Sequence, residues 1–340
     1  MEDNGTKSWI EDGEKYAALG LDVKIDTDVM EGYFGPTLRM LGSGAFPISE
    51  LWQGWLGSIQ TDEIKNCGLF VVSKLRSDQP GVLDDETKLL QKRVWDFYVG
   101  LLLTSTFSPS HAPFILSGSR RDGEIDVRQK LDLEIPVPGL ATPYPSISKR
   151  DFESAAIVSS QLERIAAANV SGGLWRLNRV LKLYVDTRAV NDILERIHQY
   201  SRCIDGTLLL QPGEGKKQFK SKSEIFVGPK HHDLMGEIYD VRSAVEHLHE
   251  NKYLEIFDRG QRLELAKKEL IVEYIARSTL EKIIGNPKLW GHFANTDALA
   301  AFWSLSSPDR KSIWGAPVDP LSALADFDPK YIHDGMLGGP

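Results

Sequence analysis

The sequence predicts a mainly α-helical protein in which a C-terminal helical bundle follows a mixed α/β module. Apolar residues recur every three or four positions along much of 174–305, short glycine-flanked apolar runs occur within the first 150 residues, and a proline-rich segment separates the two parts. The first pattern places apolar side chains on one face of a helix, and the second is typical of strands. A chain of 340 residues is also long enough for two domains.

The first part of the chain combines both patterns. Residues 68–75 (GLFVVSKL) and 112–119 (APFILSGS) have the composition of strands, and 84–103 has an acidic first turn followed by helical apolar spacing. The segment 135–146 (IPVPGLATPYPS) carries four prolines, which continue neither a helix nor a strand ladder. We therefore expect three parts: a mixed α/β module over 1–145, a helical domain over 150–310, and a Pro/Gly-rich C-terminal arm over 311–340.

Four apolar stripes predict the main helices of the second domain. They cover 174–185, 190–208, 234–248 and 263–283. The third helix is expected to continue to about residue 250. Gly285 and Pro287 end the fourth stripe, because Gly favours a helix C-terminus and Pro cannot continue a helix. A shorter helix is expected over 298–305.

Composition limits the function classes that remain open. The chain has two cysteines and no CxxC pair, which excludes a disulfide framework and a cysteine zinc knuckle. Its formal net charge of −8 argues against a surface that coats nucleic acid broadly, although a local basic groove is compatible with it. No apolar run is long enough for a transmembrane helix, and the acidic N-terminus lacks a secretion signal. We therefore expect a cytoplasmic protein without membrane contact.

The third predicted helix carries the main candidate site. Four of the eight histidines lie within 231–249, and Arg242 precedes His247 by five residues. On an ideal helix these two residues are about 140° apart and both avoid the apolar face. Arg242 could sweep toward His247, or each could meet groups from a second copy of the chain. His249 lies closer to the face of Arg242, so the choice between the two histidines stays open.

Three segments of this region resemble the HEPN family, in particular its Apea-like branch: ILERIHQYSRCIDG (193–206), KQFKSKSEIFVGP (217–229) and GEIYDVRSAVEHLHE (236–250). The mark of the family is an Arg followed after four to six residues by a His near the start of a late helix. Arg242 and His247 match that spacing, and so does the pair of Arg242 and His249. The resemblance covers about 174–305.

The resemblance implies a bundle of four or five helices that forms a homodimer and cleaves RNA without a metal or another cofactor. In many members the Arg and the His face a cleft on the two-fold axis, and such domains often occur in defence or toxin-type effectors. Other members are non-catalytic and serve as binding or assembly modules. Two positions depart from the pattern of active members. Ser243 stands where Asn, Asp or His often follows the Arg, and Leu248 stands where Gly often follows the His.

The chemistry of RNA cleavage fits these residue types. A group that titrates near neutrality must move a proton, which His247 can do, and a permanent cation must hold the phosphate, which suits the forked guanidinium of Arg242. The expected product is a 2′,3′-cyclic phosphate with a 5′-hydroxyl. Supporting roles are assigned to neighbours on the same helix and to two residues of the second helix: Ser243, Glu246, His249, Arg196 and Asp205.

The polar segment 211–224 (QPGEGKKQFKSKSE) is predicted to be a loop. Five lysines in and after it are candidates for RNA phosphate contacts: Lys216, Lys217, Lys220, Lys222 and Lys230. The alternative is a solvated loop whose Phe219 and Phe226 are buried in the bundle.

Simpler interpretations of the charged residues stay open as well. Arg242 and Glu246 could form an ordinary ion pair at i and i+4, and Arg202 could pair with Asp205 within the second helix. Two other functions also remain. The helical domain could be a non-catalytic interaction module that binds a partner protein, or the histidines could join nearby acids in a metal-dependent hydrolase, although no HExxH-type spacing links them.

Overall fold

The computed structural model describes residues 8–26, 32–34, 37–44, 46–79, 84–137, 146–169, 172–255, 258–332 and 335. The chain forms two compact units. The first consists of Met1–Leu101, Phe107–Ile135 and Ser146–Ser160, and the second of Leu102–Thr106, Pro136–Pro145 and Gln161–Pro340. Most of the proline-rich segment predicted as a boundary, 138–145, lies outside the described residues.

The first unit contains an antiparallel sheet. Its elements in chain order are β1 (Glu14–Leu21), β2 (Gly32–Phe34), β3 (Leu38–Gly42), α1 (Glu50–Asn66), β4 (Leu69–Arg76), α2 (Asp85–Thr104), β5 (Phe114–Arg121), β6 (Glu124–Ile125) and β7 (Gln129–Asp132). The last three residues of α2 belong to the second unit. The strands are ordered β2-β3-β4-β1-β5-β6, and β7 also pairs with β5. The predicted strands at 68–75 and 112–119 and the predicted helix at 84–103 are confirmed by β4, β5 and α2.

The sheet of the first unit is buried on both faces. On one face Tyr16, Phe70 and Leu116 belong to a core cluster that also contains Leu56 and Ile64 of α1. On the other face α2 is tied to the sheet by polar contacts. Gln91 Nε2 donates to Ser117 Oγ at 2.8 Å, and the buried Lys15 ammonium binds Asp84 and Glu86 at the start of that helix. Apolar burial on both faces drives this layering.

The next helix is α3 (Lys149–Ala168), whose first part belongs to the first unit and whose last part belongs to the second. All helices after α3 belong to the second unit. These are α4 (Trp175–Thr187), α5 (Ile193–Leu208), α6 (Gly215–Val227), α7 (His232–Glu246), α8 (Asn251–Leu254), α9 (Arg259–Gly285), α10 (Pro287–Phe293), α11 (Thr296–Ser304) and α12 (Ser307–Trp314). Asp192 and Asp258 cap α5 and α9 by accepting backbone N–H bonds, which satisfies donors that have no partner inside the helix. A mainly α-helical chain is therefore confirmed.

The four stripe-based helices and the short helix at 298–305 are confirmed by α4, α5, α7, α9 and α11. Two expectations are wrong. The predicted loop at 211–224 is largely the helix α6, because Phe219 and Phe226 are fully buried and give this lysine-rich segment an apolar face. The third helix ends at Glu246 and not near residue 250, because Leu248 adopts a left-handed conformation with φ 55°.

The C-terminal arm is more structured than its composition suggests. Helix α12 extends into it, and Trp314 packs against Phe226 and Phe293 with ring centroids 4.7 and 5.9 Å apart. Arg259 Nη2 donates to the carbonyl oxygens of Pro329 and Ile332 at 3.0 and 2.6 Å. Of the last ten residues, only 331, 332 and 335 are among those described. No helix in the described part of the chain is long and apolar enough to cross a membrane.

Candidate functional site

A groove of about 780 Å³ lies in the helical unit beside the predicted site. We call it the arginine groove. Its lining includes four cationic side chains, two carboxylates and one phenol: Arg176, Arg202, Lys216, Arg242, Asp205, Glu246 and Tyr239. The cations outnumber the carboxylates, so the groove is suited to an anionic ligand although the whole chain carries net negative charge.

Arg242 is the central cation of the groove. Its Nη2 lies 3.1 Å from Asp205 Oδ2 on α5 and 2.9 Å from Glu246 Oε2 on α7, and its side chain is 17% exposed. The guanidinium carbon is 5.4 Å from the ring centroid of Tyr239. The ion pair predicted between Arg242 and Glu246 is confirmed. The pair predicted between Arg202 and Asp205 is wrong, because Asp205 turns to Arg242 and Arg202 Nη1 donates to Gln199 Oε1 at 3.2 Å.

Asp205 is a mostly buried carboxyl in the groove. Burial raises the pKa of this carboxyl from 3.8 to about 6, and the positive charge of Arg242 opposes the shift without cancelling it. Its Oδ1 is buried and has no hydrogen-bond partner among the described residues. A carboxyl with a pKa near 6 exchanges protons close to neutral pH, which is a property of general acids and bases.

His247 sits at the end of α7 and not within it. It is the exposed C-cap residue, and its backbone N–H donates to Ser243 O at 3.2 Å. The Leu248 N–H donates to Val245 O at 3.1 Å and the His249 N–H to Ala244 O at 2.7 Å. Together with the left-handed φ of Leu248, these bonds form a Schellman motif, in which Gly is the usual residue at the left-handed position.

The same motif brings the two candidate histidines near each other. The ring centroids of His247 and His249 are 6.3 Å apart, and both residues are exposed. Neither is among the residues that line the arginine groove, whereas Glu246, one residue earlier, is. Ser243 is half-buried and contributes its backbone carbonyl to the helix end.

Arg196 lies away from the groove. Its Nε donates to Glu269 Oε1 at 2.9 Å, and both side chains are 3% exposed. The neighbouring Glu273 accepts from Arg277 Nε at 3.0 Å and lies 2.8 Å from the Tyr184 hydroxyl. We call these residues the inner charge cluster. Its burial assigns Arg196 to the interior of the bundle, not to contact with His247.

The five candidate lysines each contact a group of the protein itself. Lys216 binds Asp240 at 2.7 Å, Lys220 lies 3.2 Å from Asp233, Lys230 lies 3.0 Å from Asp319, and Lys217 is 3.9 Å from Glu214. Lys222 donates to the carbonyl oxygens of Leu208 and Leu209, and so satisfies acceptors at the end of α5. Of the five, only Lys216 lines the groove. The interpretation in which both Phe219 and Phe226 are buried is confirmed.

Two features of the site could not be found by sequence reasoning. The Nε2 atom of His198, on α5, lies 3.4 Å from Glu246 Oε2. Glu246 therefore contacts both His198 and Arg242. Gly215 lies at the groove, where a Cβ atom would come within 2.2 Å of the Tyr239 hydroxyl. A glycine is needed there for Tyr239 to keep its position.

The other two histidines of the 231–249 window, His231 and His232, each contact a carboxylate. His231 Nε2 lies 3.2 Å from Asp319 Oδ1, and His232 Nδ1 lies 2.7 Å from Glu224 Oε1. Among the residues that the structure describes, no group of three or more His, Cys, Asp or Glu side chains is arranged to hold a metal ion.

Comparison of the chain with family models, with curated proteins and with solved structures finds no match in any of the three.

Proposed function

We propose that the helical unit is a HEPN-type, metal-independent endoribonuclease that acts on single-stranded RNA or exposed RNA loops as a homodimer. The observation that supports this most is the arginine groove, whose lining combines Arg242 with three further cations and an aromatic ring. Cations hold the phosphates of RNA, and an aromatic ring offers a stacking surface for a base. A role as a defence or toxin-type effector belongs to the same proposal and rests on the family resemblance alone.

In the proposed reaction the scissile phosphate enters the groove and Arg242 exchanges its two carboxylate partners for phosphate oxygens. From the exposed end of α7, next to the groove residue Glu246, His247 removes the proton of the 2′-hydroxyl of a substrate that extends out of the groove. The 2′-oxygen attacks phosphorus, and the bond to the 5′-oxygen breaks. The leaving 5′-oxygen takes up a proton from water, and His247 releases the proton it accepted to the solvent. The products are a 2′,3′-cyclic phosphate and a 5′-hydroxyl.

The test is cleavage of a 5′-labelled single-stranded RNA by the full chain in excess EDTA, with the product ends identified by mass spectrometry. Cleavage should persist in EDTA. Arg242→Ala should lower the rate by at least about 100-fold, the size expected for losing a charge-stabilising donor. His247→Ala should do the same if it moves the proton, and a His249→Ala variant tests the neighbouring histidine. Arg179→Ala, an exposed arginine of α4, is the matched control and should cleave at the wild-type rate.

A second function is favoured by a specific observation. Arg242 is already neutralised by Asp205 and Glu246, and His247 does not line the groove. A non-catalytic module that binds RNA or a partner protein would need neither residue to be free. This function replaces the nuclease if the chain binds RNA in an anisotropy titration yet releases no cyclic-phosphate product. Sedimentation velocity of the same samples tests the proposed homodimer.

A further inference from the structure

The first unit has an apolar surface that the proposed function does not use. Leu51, Trp55 and Ile59 of α1 are 72%, 61% and 76% exposed. Leu51 and Trp55 are four residues apart and share one side of the first part of α1. Gly57, with a φ of 80° and a ψ of 168°, breaks the helix, and Ile59 belongs to the part that follows. Trp52 packs edge-on against Trp55 with ring centroids 5.6 Å apart. We call this surface the α1 face.

Three large apolar side chains that are each more than half exposed within nine residues are unusual for a surface in contact with water. Single exposed apolar residues are common, but a contiguous group marks a site of association. Trp52 is held from its other side by Arg128, whose guanidinium carbon lies 4.6 Å from the ring centroid. Trp52, which also packs against the core cluster, is therefore held in place and supports the exposed Trp55.

The α1 face continues into an acidic cleft of about 610 Å³. Ile59 lines this cleft as well as the apolar surface, and four carboxylates line it: Asp22, Asp62, Glu63 and Asp132. Lys130 Nζ lies 2.9 Å from Glu63 and also binds Asp132, and His111 Nδ1 lies 2.7 Å from Asp22 Oδ2. One lysine does not balance four carboxylates, so the cleft retains negative charge beside the apolar surface.

We propose that the α1 face and the acidic cleft together bind an amphipathic, basic segment of a partner protein. The apolar side chains of that segment would cover Leu51, Trp55 and Ile59, and its Lys or Arg side chains would enter the cleft. Recognition of an amphipathic helix by an apolar surface with flanking charge is a common mode of peptide binding. Trp55 is the expected anchor, because exposed tryptophans contribute disproportionately to binding.

The charge pattern argues against two other occupants. Two copies of α1 that pair in antiparallel fashion would set the acidic end of one against the apolar end of the other, and parallel pairing would set acid against acid. A bilayer with anionic lipids would be repelled by the carboxylates. A basic, amphipathic segment matches both the apolar side chains of the α1 face and the carboxylates of the acidic cleft.

The test uses two synthetic, fluorescein-labelled 15-residue peptides with the full-length chain. Both carry apolar residues at i, i+3, i+4 and i+7 of a helix, followed by three arginines in one peptide and three glutamates in the other. By fluorescence anisotropy the arginine peptide should bind at least about tenfold more tightly, and Trp55→Ser should weaken its binding by at least about tenfold. Asp62→Lys should weaken the binding of the arginine peptide and reduce the salt dependence of its affinity. Leu89→Ser, at a 45% exposed leucine of α2, is the matched control and should change nothing.

Four results would overturn the proposal. The two peptides could bind equally, or Trp55→Ser could leave the affinity unchanged. Sedimentation velocity could show a dimer of the chain that Trp55→Ser dissociates, which would assign the face to a second copy. Co-sedimentation with phosphatidylglycerol vesicles that depends on Trp55 would assign it to lipid. Circular dichroism of each variant confirms that the fold is retained, which the exposure of these side chains leads us to expect.

Discussion

The helical unit contains two clusters of charged residues that differ in their access to water. In the inner charge cluster, Arg196 and Glu269 pair at 2.9 Å and both side chains are 3% exposed. In the arginine groove, Arg242 is paired at similar distances, but its partners Asp205 and Glu246 are 16% and 39% exposed. Separating the inner pair would strand a charge in the protein interior, whereas water or a ligand can replace the partners of Arg242. The first arrangement serves folding, and the second can take part in binding.

The largest expected effect is a difference in the free energy of unfolding between variants of the two clusters. Arg196→Met leaves Glu269 buried without its partner and should lower the free energy of unfolding by about 3–5 kcal/mol. Arg242→Gln should cost less, about 1 kcal/mol, because Glu246 is in contact with water and the Asp205 carboxyl, with a pKa of about 6, can take up a proton when its cation is removed. Urea unfolding of both variants measures the difference. The double variant Arg196→Met/Glu269→Leu should recover most of the loss, and equal losses for the two single variants would contradict the distinction between the clusters.

A smaller effect concerns the pH dependence of stability. The pKa of Asp205 is about 6 in the folded chain, above its ordinary 3.8, so the folded chain binds this proton more tightly than the unfolded chain does. The stabilisation from Asp205 is therefore fully present below about pH 4 and is lost as the pH rises through about 6. The loss should be at most about 3 kcal/mol.

Asp205→Asn should remove the contribution of this carboxyl to the pH dependence of the free energy of unfolding. Unfolding free energies of the wild type and the variant between pH 4 and pH 8 should diverge in the window from 4 to 6. Parallel profiles would mean that the Asp205 carboxyl titrates as an exposed one does.

The smallest effect concerns the helix end that carries His247. Leu248 has a φ of 55° and is 80% exposed, so a side chain at this position adds backbone strain and little packing. Leu248→Gly should raise the free energy of unfolding by about 0.5–1 kcal/mol, the gain from relieved strain less the entropy of glycine. Thermal unfolding measures it, with Leu248→Ala as the control that keeps a Cβ atom. A loss of stability in the glycine variant would show that the Leu248 side chain packs.

The helices of the second unit were predictable because a periodic apolar face is a local property. Helices α4, α5, α7 and α9 each bury one stripe, and the pattern of each stripe is visible in the sequence. Helix α6 was missed because its lysines and preceding glycines resemble a loop, and its burial depends on the helices around it. Strand β1 was missed for a related reason, since it is buried on both faces and shows no alternation of polar and apolar residues.

The candidate site was predictable only within single helices. The ion pair of Arg242 with Glu246 follows from their separation of four residues. The pairing of Arg242 with Asp205 joins two helices and depends on how they pack, which no spacing rule supplies. The same holds for His198, which reaches Glu246 from α5. The position of His247 outside α7 depends on the left-handed residue that follows it.

The contour of the arginine groove also depends on a residue that bears neither charge nor side chain. At Gly215, an added methyl group would collide with the Tyr239 hydroxyl, and the ring would have to swing aside. Exchange of this one glycine would therefore reshape the groove without changing the number of its charged residues. Related chains could therefore differ in the ligand that they prefer through a substitution at this uncharged position. A comparison of their charged residues alone would not detect that difference.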